Sequence, residues 1–421
     1  MLDLKFIREN PDTVKAALAR KYDKSDIDKI LALDDSRREI IRKVEQLKAD
    51  RNKASGEIAK AKKAGESADD AIARMRQVGQ DISKLDESLR DVEQQIHELM
   101  IWIPNLPHES VPMGEDESAA VVVREWGEIP KPDFEVIPHW DHGLKMGWLD
   151  IPAATKISGA GFYLLKGVGA RLLRALANYM LDIHIDSGFV EIAPPLLVSE
   201  AAMFGTGQIP KLEEDMYRTE NDNMYLIPTG EVPLTNLYRD EIVSYKDLPM
   251  NMVCYTPCFR REAGAAGKDT RGMIRVHQFE KVELVKIVRP EDSYDELESL
   301  VTQAEKVLQG LEIPYRVATL ATGDLSFAAA KCYDIELWAA GVGKYLEISS
   351  VSNFEDFQAR RMNCRFRDED GKVRFVHTLN GSGVALARLI PAILENFQNA
   401  DGSVTIPKAL RPYMGGVDKI G

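Results

Sequence analysis

The chain has 421 residues, a net charge of −13 and 44% hydrophobic residues. That length suits two or three domains with a real core, and the acidic balance argues against a generally basic nucleic-acid binder while leaving room for local basic surfaces. Four cysteines (Cys254, Cys258, Cys332, Cys364) form no CxxC pair and no His/Cys cluster, the usage of a reduced, cytoplasmic protein with buried thiols rather than of a disulfide scaffold or zinc module.

Residues 1–5 lack the apolar run of a signal peptide and no segment approaches a membrane span, so no membrane partner is expected. Residues 2–22 read as one short helix around an Asn10-Pro11 start signal. A regular pattern follows: Leu33, Arg37, Ile40, Val44, Leu47, Arg51, Ala54, Ile58 and Ala61 alternate spacings of four and three. Gly65 to Asp69 interrupts it, and a second run passes through Ile72, Met75, Gly79, Ile82, Leu85, Leu89, Val92, Ile96 and Leu99. Two such runs joined by a short polar break predict an antiparallel coiled-coil hairpin. Arms of ~35 residues would be about 50 Å long, too long to tuck against a globular domain.

The arms differ in charge. Positions 37–63 hold ten basic residues against four acidic ones, and positions 66–98 hold four against nine. Either the charges pair across the hairpin and solvate it, or the first arm carries a basic stripe for phosphates.

Ile103-Pro104-Asn105-Leu106-Pro107 stops the second arm, dividing the chain into 1–103 and 104–421, and the stretch to about Pro138 reads as linker and short strand. Residues 167–187 form an amphipathic helix entering a proline-terminated strand at 189–195. Strands are expected at 224–228, 251–260, 274–288, 315–320, 333–339 and 344–351, with helices near 232–238, 292–310 and 383–397. Many neighbouring strands lack an intervening helix, so the fold class is α+β with a mainly antiparallel sheet flanked by helices.

The chemistry concentrates at Phe259-Arg260-Arg261-Glu262 and Arg275 to Glu283. Alternation along the second stretch puts Arg275, His277, Phe279, Lys281 and Glu283 on one face. Arginine, aromatic and carboxylate on one side fill a core poorly, but suit a phosphate, a flat base and an ammonium. The loop between them, 263–272, is small and basic. Gly264 to Asp269 is not a P-loop, because Glu262 and Asp269 stand where glycine and Ser/Thr are required and no helix follows. Gly167-Val168-Gly169 lacks the third glycine of a dinucleotide fingerprint.

In this order the motifs resemble those of the bacterial-type seryl-tRNA synthetases, class II aminoacyl-tRNA synthetases, from Met1 to the C-terminus. The helix and strand at 167–195 resemble the first class II motif, the usual dimer contact; residues 259–283 resemble the second. Gly381-Ser382-Gly383-Val384-Ala385-Leu386-Ala387-Arg388 resembles the third. Thr229-Gly230-Glu231, Glu347-Ile348-Ser349-Ser350 and the hairpin carry the seryl assignment. The resemblance implies a homodimeric ligase that activates L-serine with ATP and transfers it to serine tRNA, and to selenocysteine tRNA where one exists.

By the family pattern, Arg260 grips the α-phosphate and the serine carboxylate, while Arg388 and Arg275 hold phosphates. Phe279 stacks on adenine, and Arg261, Glu262 and the Val276 backbone sit at the nucleotide. Glu347 and Ser350, with Ile348 and Ser349 between them, would hold Mg2+; no zinc is expected. Glu283, Thr229, Gly230 and Glu231 surround the serine ammonium and hydroxyl, closed by Asn380 and Ser382. Position 230 is expected to tolerate other residues, because its contact is through the backbone. Arg260, Arg388 and Glu283 are the catalytic candidates, and Arg37, Lys43, Arg51, Lys53, Lys60 and Lys63 the candidate contacts for the tRNA's long variable arm. Two rivals remain: an amino-acid-activating relative that charges a carrier protein, and a scaffold with an inert globular domain.

Overall fold

A computed structural model describes residues 1–65, 67–263 and 271–421. The loop at 263–272, expected to be small and basic, falls largely outside them. The chain divides into two compact units, residues 1–19 with 23–104, and residues 20–22 with 105–421.

The first unit opens with α1 (Leu4–Glu9) and α2 (Pro11–Arg20), two helices rather than the one expected. Asn10 leaves the helical region at φ −136° because the following proline disfavours it, and Pro11 then starts the second helix. Then come α3 (Ile27–Ala64) and α4 (Asp69–Met100), capped at their junction by Gly65 with φ +76°. Thirty-eight residues make α3 about 57 Å long. Ile30, Val44, Ile82 and Ile96 are buried in the hairpin seam.

In the second unit eight strands form one sheet: β1 (Val121–Trp126), β2 (Val190–Glu191), β3 (Met250–Phe259), β4 (Gln278–Val288), β5 (Tyr315–Thr319), β6 (Lys331–Ala339), β7 (Lys344–Asn353) and β8 (His377–Ala385). Their order is β1-β5-β6-β7-β8-β4-β3-β2, antiparallel except for β2 beside β3. The expected linker thus contains an edge strand, β1, and further on the unexpected helices α5 (His139–Lys145) and α6 (Ile151–Ser158). Helices α7 (Val168–Asp186), α8 (Glu200–Thr206), α9 (Glu231–Thr235), α10 (Ser293–Gly310), α11 (Phe357–Met362) and α12 (Leu386–Asn396) complete the unit.

Paired residues of an antiparallel ladder share a face. The back of the sheet packs its alternate apolar residues, such as Val282 and Leu284, with α7, α10 and α12 around one core. Glycine is needed there for closeness. A Cβ on Gly383 would lie 2.8 Å from His184 Nε2 of α7, and one on Gly381 3.2 Å from Leu300 of α10. On the opposite face Met252, Cys254, Val285 and Ile287 pack into a second core with Leu234 of α9 and Ala359 and Met362 of α11, and the part of the face around Phe279, Lys281 and Glu283 is left for polar side chains.

Candidate active site

The polar face is assembled by register. Phe279, Lys281 and Glu283 of β4 stand opposite Cys258, Thr256 and Cys254 of β3, and Glu283 also stands opposite Ser382 of β8. The strand begins only at Gln278, so Arg275 and His277 lie in its lead-in and do not share the ladder face expected for them. The His277 backbone N–H donates to the Gly161 carbonyl at 2.8 Å, and its ring Nδ1 meets the Arg260 carbonyl at 3.0 Å.

Over this face runs the segment leading into α9. The Thr229 hydroxyl donates to Glu283 Oε2 at 2.9 Å and accepts from Lys281 Nζ at 2.8 Å, while Lys281 also pairs with Glu283. Asn380 Nδ2 donates to both Glu231 Oε2 at 3.1 Å and Glu283 Oε1 at 3.2 Å. Gln358 of α11 donates to Glu231 Oε1 at 2.6 Å and is itself held by the Thr378 hydroxyl at 2.7 Å. Glu283, Thr229, Glu231 and Lys281 are all buried. The cluster therefore sets two buried carboxylates against one ammonium, an arrangement costly to leave without a further cation. Burial and the nearby Glu283 push the Glu231 carboxyl up to about 7, against the opposing pull of Gln358, Lys281 and Arg260. Asn380 Oδ1 is buried with no partner.

Gly230 packs closely, so a larger residue there requires the Cys254 side chain to shift. A Cβ there would lie 2.5 Å from Cys254 Sγ and 3.0 Å from Glu283 Cβ. Lys281 was legible as a neighbour of Glu283 by alternation, but its role as a buried counter-charge was not. Gln358 had no sequence signal; it arrives from a six-residue helix more than seventy positions beyond Glu283.

At the end of β3, Arg260 Nε donates to the Pro228 carbonyl at 3.2 Å, and its guanidinium lies 5.2 Å from the centre of the Phe279 ring. Glu262 adopts φ +51°, a left-handed conformation unusual for glutamate, and accepts from Arg275 Nη1 at 3.2 Å. Val276 is buried, whereas the Arg261 side chain is exposed. Arg388, at the start of α12, donates to the Glu347 carbonyl and lies 3.5 Å from its Oε2.

A bulge between Glu347 and Ser349 shifts the phase of β7, so Glu347 and Ser350, three positions apart, both face the polar side, opposite Glu336 and Asp334. Ile348 is thereby turned into the core, and the Ser349 hydroxyl donates to the Ser382 carbonyl at 2.6 Å. Burial and Glu347 together hold Asp334 well above the usual carboxylate range.

In the hairpin, Arg37 is engaged by Asp34 at 2.9 Å and Glu93 at 3.9 Å, and Lys43 by Glu39 at 2.6 Å. Arg51 is half-buried; Lys53, Lys60 and Lys63 are exposed and make no ion pair among the described residues. Pairing across the hairpin thus takes up Arg37 and leaves most of the basic surplus in solvent.

Comparison with known proteins bears on both units. Residues 1–107 match the seryl-tRNA synthetase N-terminal domain, and residues 212–397 the class II tRNA synthetase core domain shared by the G, H, P, S and T enzymes. A serine–tRNA ligase of Caldicellulosiruptor saccharolyticus is 58% identical over 416 residues, covering 99% of each chain. One from Bacillus subtilis is 56% identical over 418 residues, 99% of this chain and 98% of its own. The crystal structure of the Pyrococcus horikoshii seryl-tRNA synthetase complexed with ATP superposes with a TM-score of 0.95 at 40% identity, covering 100% of this chain and 99% of its own. With its sheet, its motifs and its full length matched in this way, the chain belongs to the seryl-tRNA synthetase family, within class II.

Proposed function

We propose that this chain is a serine–tRNA ligase that forms seryl-adenylate from L-serine and ATP, then passes serine to the 3′-terminal adenosine of serine tRNA. The observation that carries the amino-acid half is the buried cluster around Glu231 and Glu283, two carboxylates with one lysine. The serine ammonium is the missing cation, and Thr229 and Asn380 offer hydrogen bonds for its hydroxyl. Ser382 closes the pocket.

Arg260 then receives the serine carboxylate and the α-phosphate. Its fork reaches both, and its stacking on Phe279 leaves the other face of the ring for adenine. Glu262 and the Val276 backbone read the adenine edge, with Arg261 at the rim, and Arg275 and Arg388 hold the outer phosphates. A serine carboxylate oxygen bonds to the α-phosphorus, the bond to the bridging oxygen breaks, and pyrophosphate leaves with its electron pair. These arginines are fixed before charge develops, which is where electrostatic stabilisation acts best. In the second step the tRNA hydroxyl attacks the seryl carbonyl and AMP departs. Neither step needs a protein nucleophile.

Mg2+ suits the residues at the β7 bulge. Glu347 and Ser350 offer hard oxygens from one face, the donor set such an ion prefers. When bound it would neutralise charge on the phosphate oxygens.

The N-terminal unit, residues 1–103, is the tRNA-binding domain in this reading, and 104–421 the catalytic domain. Lys53, Lys60 and Lys63 are its best phosphate contacts, with Arg51, Arg37 and Lys43 less available. The protein works as a cytoplasmic homodimer joined through α7 and β2, a face where Val190 is 61% exposed. Among the described residues, no helix is long and apolar enough to cross a membrane. Deleting residues 30–100 tests the division of labour: serine-dependent ATP–pyrophosphate exchange should survive while tRNA charging collapses. Equal loss of both would contradict it.

A further inference from the structure

Behind the nucleotide residues lies a buried pair that the reaction as described does not use. His139, at the start of α5, and Glu395, near the end of α12, are both almost wholly buried. Glu395 Oε1 accepts from the His139 backbone N–H at 3.0 Å and meets its Nδ1 at 2.9 Å. Glu395 Oε2 accepts from the Gly341 N–H at 2.9 Å. On the far side of the ring, Nε2 accepts the Met273 backbone N–H at 3.2 Å. An imidazole that accepts at Nε2 carries its proton at Nδ1, so the ring donates to Glu395 Oε1. The fit is close: a Cβ on Gly272, which holds φ +68°, would lie 2.1 Å from that same Nε2.

Each end of this relay leads to a phosphate arginine. Arg388 precedes Glu395 by seven residues on α12, two helical turns, and so lies on nearly the same side. Arg275 follows Met273 by two residues and pairs with Glu262. His139, Ile274, Arg388 and Glu395 line one cleft.

We propose that His139 is a positioning residue for ATP: with Glu395 it fixes the chain at Met273, ahead of β4, and so sets where Arg275 stands relative to Arg388. The inference rests on the ligase reading above. Touching neither serine nor its pocket, His139 acts on the nucleotide half of the site alone.

Two variants separate the ring's two bonds. His139→Asn keeps a donor near the Nδ1 position for Glu395 but has nothing to accept the Met273 N–H. His139→Gln reaches the Nε2 position with its amide oxygen and gives up the bond to Glu395. Pyrophosphate exchange on the full chain, with ATP and serine varied separately, gives the KM values, and thermal melting reports the fold. The ATP KM should rise on the order of tenfold in His139→Asn, the cost of one buried hydrogen bond, and recover at least partly in His139→Gln. The serine KM should stay within about twofold in both. Gly272→Ala, which presses on the ring from the other side, should give the same ATP-selective defect even if His139→Asn does not fold. An unchanged ATP KM in the foldable variants would overturn the inference, as would ATP and serine KM values rising together with a lowered melting temperature. Failure of the unmodified chain to exchange with serine would refute the ligase reading itself, so the two failures are distinguishable.

Discussion

Serine affinity should depend on pH through Glu231. In the free protein this carboxyl is pushed from 4.5 up to about 7, first by burial and then by Glu283. To meet the serine ammonium as a partner it must be ionised, which near neutrality means releasing a proton on binding. A group with a pKa of about 7 is ionised to about one part in ten at pH 6 and nine parts in ten at pH 8, so the serine KM should fall about tenfold across that range. The linked effect on stability has the opposite sense. A pKa raised on folding means that the folded state keeps a proton which the unfolded state gives up. The stability this contributes is full below 4.5 and lost as pH rises through about 7, up to about 3 kcal/mol at ~1.4 kcal/mol per decade. The assay is serine KM at saturating ATP between pH 5.5 and 8.5, beside denaturant unfolding of the free protein over the same range. Glu231→Gln should raise the KM and flatten both profiles. A serine KM independent of pH in the unmodified protein, or the same slope in Glu231→Gln, would refute the reasoning.

Three further outcomes follow from the geometry. Arg260→Lys loses the planar fork, and should lower exchange kcat/KM about a hundredfold or more with the melting temperature nearly unchanged. Gly230→Ala drives a methyl toward Cys254 Sγ and Glu283, so the serine KM should rise about tenfold while the ATP KM holds; a second substitution, Cys254→Ala, should restore part of the loss. Reversing Lys53, Lys60 and Lys63 to glutamate should raise the tRNA KM and flatten its salt dependence, measured by charging at several ionic strengths, without changing serine-dependent exchange.

The parts of the molecule that follow a simple period were legible in the sequence. The hairpin came from heptad spacing, and the antiparallel sheet from strands with no helices between them. Phe279, Lys281 and Glu283 came from alternation along one strand, and the order of the arginine-bearing motifs pointed to the family. Irregular backbone hid the rest. The bulge beside Ile348 puts Glu347 and Ser350 on one face, which alternation by itself would forbid. The early end of periodicity before Gln278 left Arg275 off the expected face. Long-range contacts were invisible for a different reason: Gln358 and His139 reach their carboxylates from distant segments, and nothing local distinguishes them from ordinary buried polar residues. The close approach of Cys254, on β3, to Gly230 is likewise set by a distant segment.

The central claim is that the pocket over Glu283 is built for serine, and amino-acid-dependent ATP–pyrophosphate exchange on the unmodified chain measures it most directly. Serine should drive exchange, and alanine, which leaves the hydroxyl's buried partners unpaired, should be poorer in kcat/KM on the order of 10^4-fold. Exchange driven as well by alanine or glycine as by serine would contradict the account.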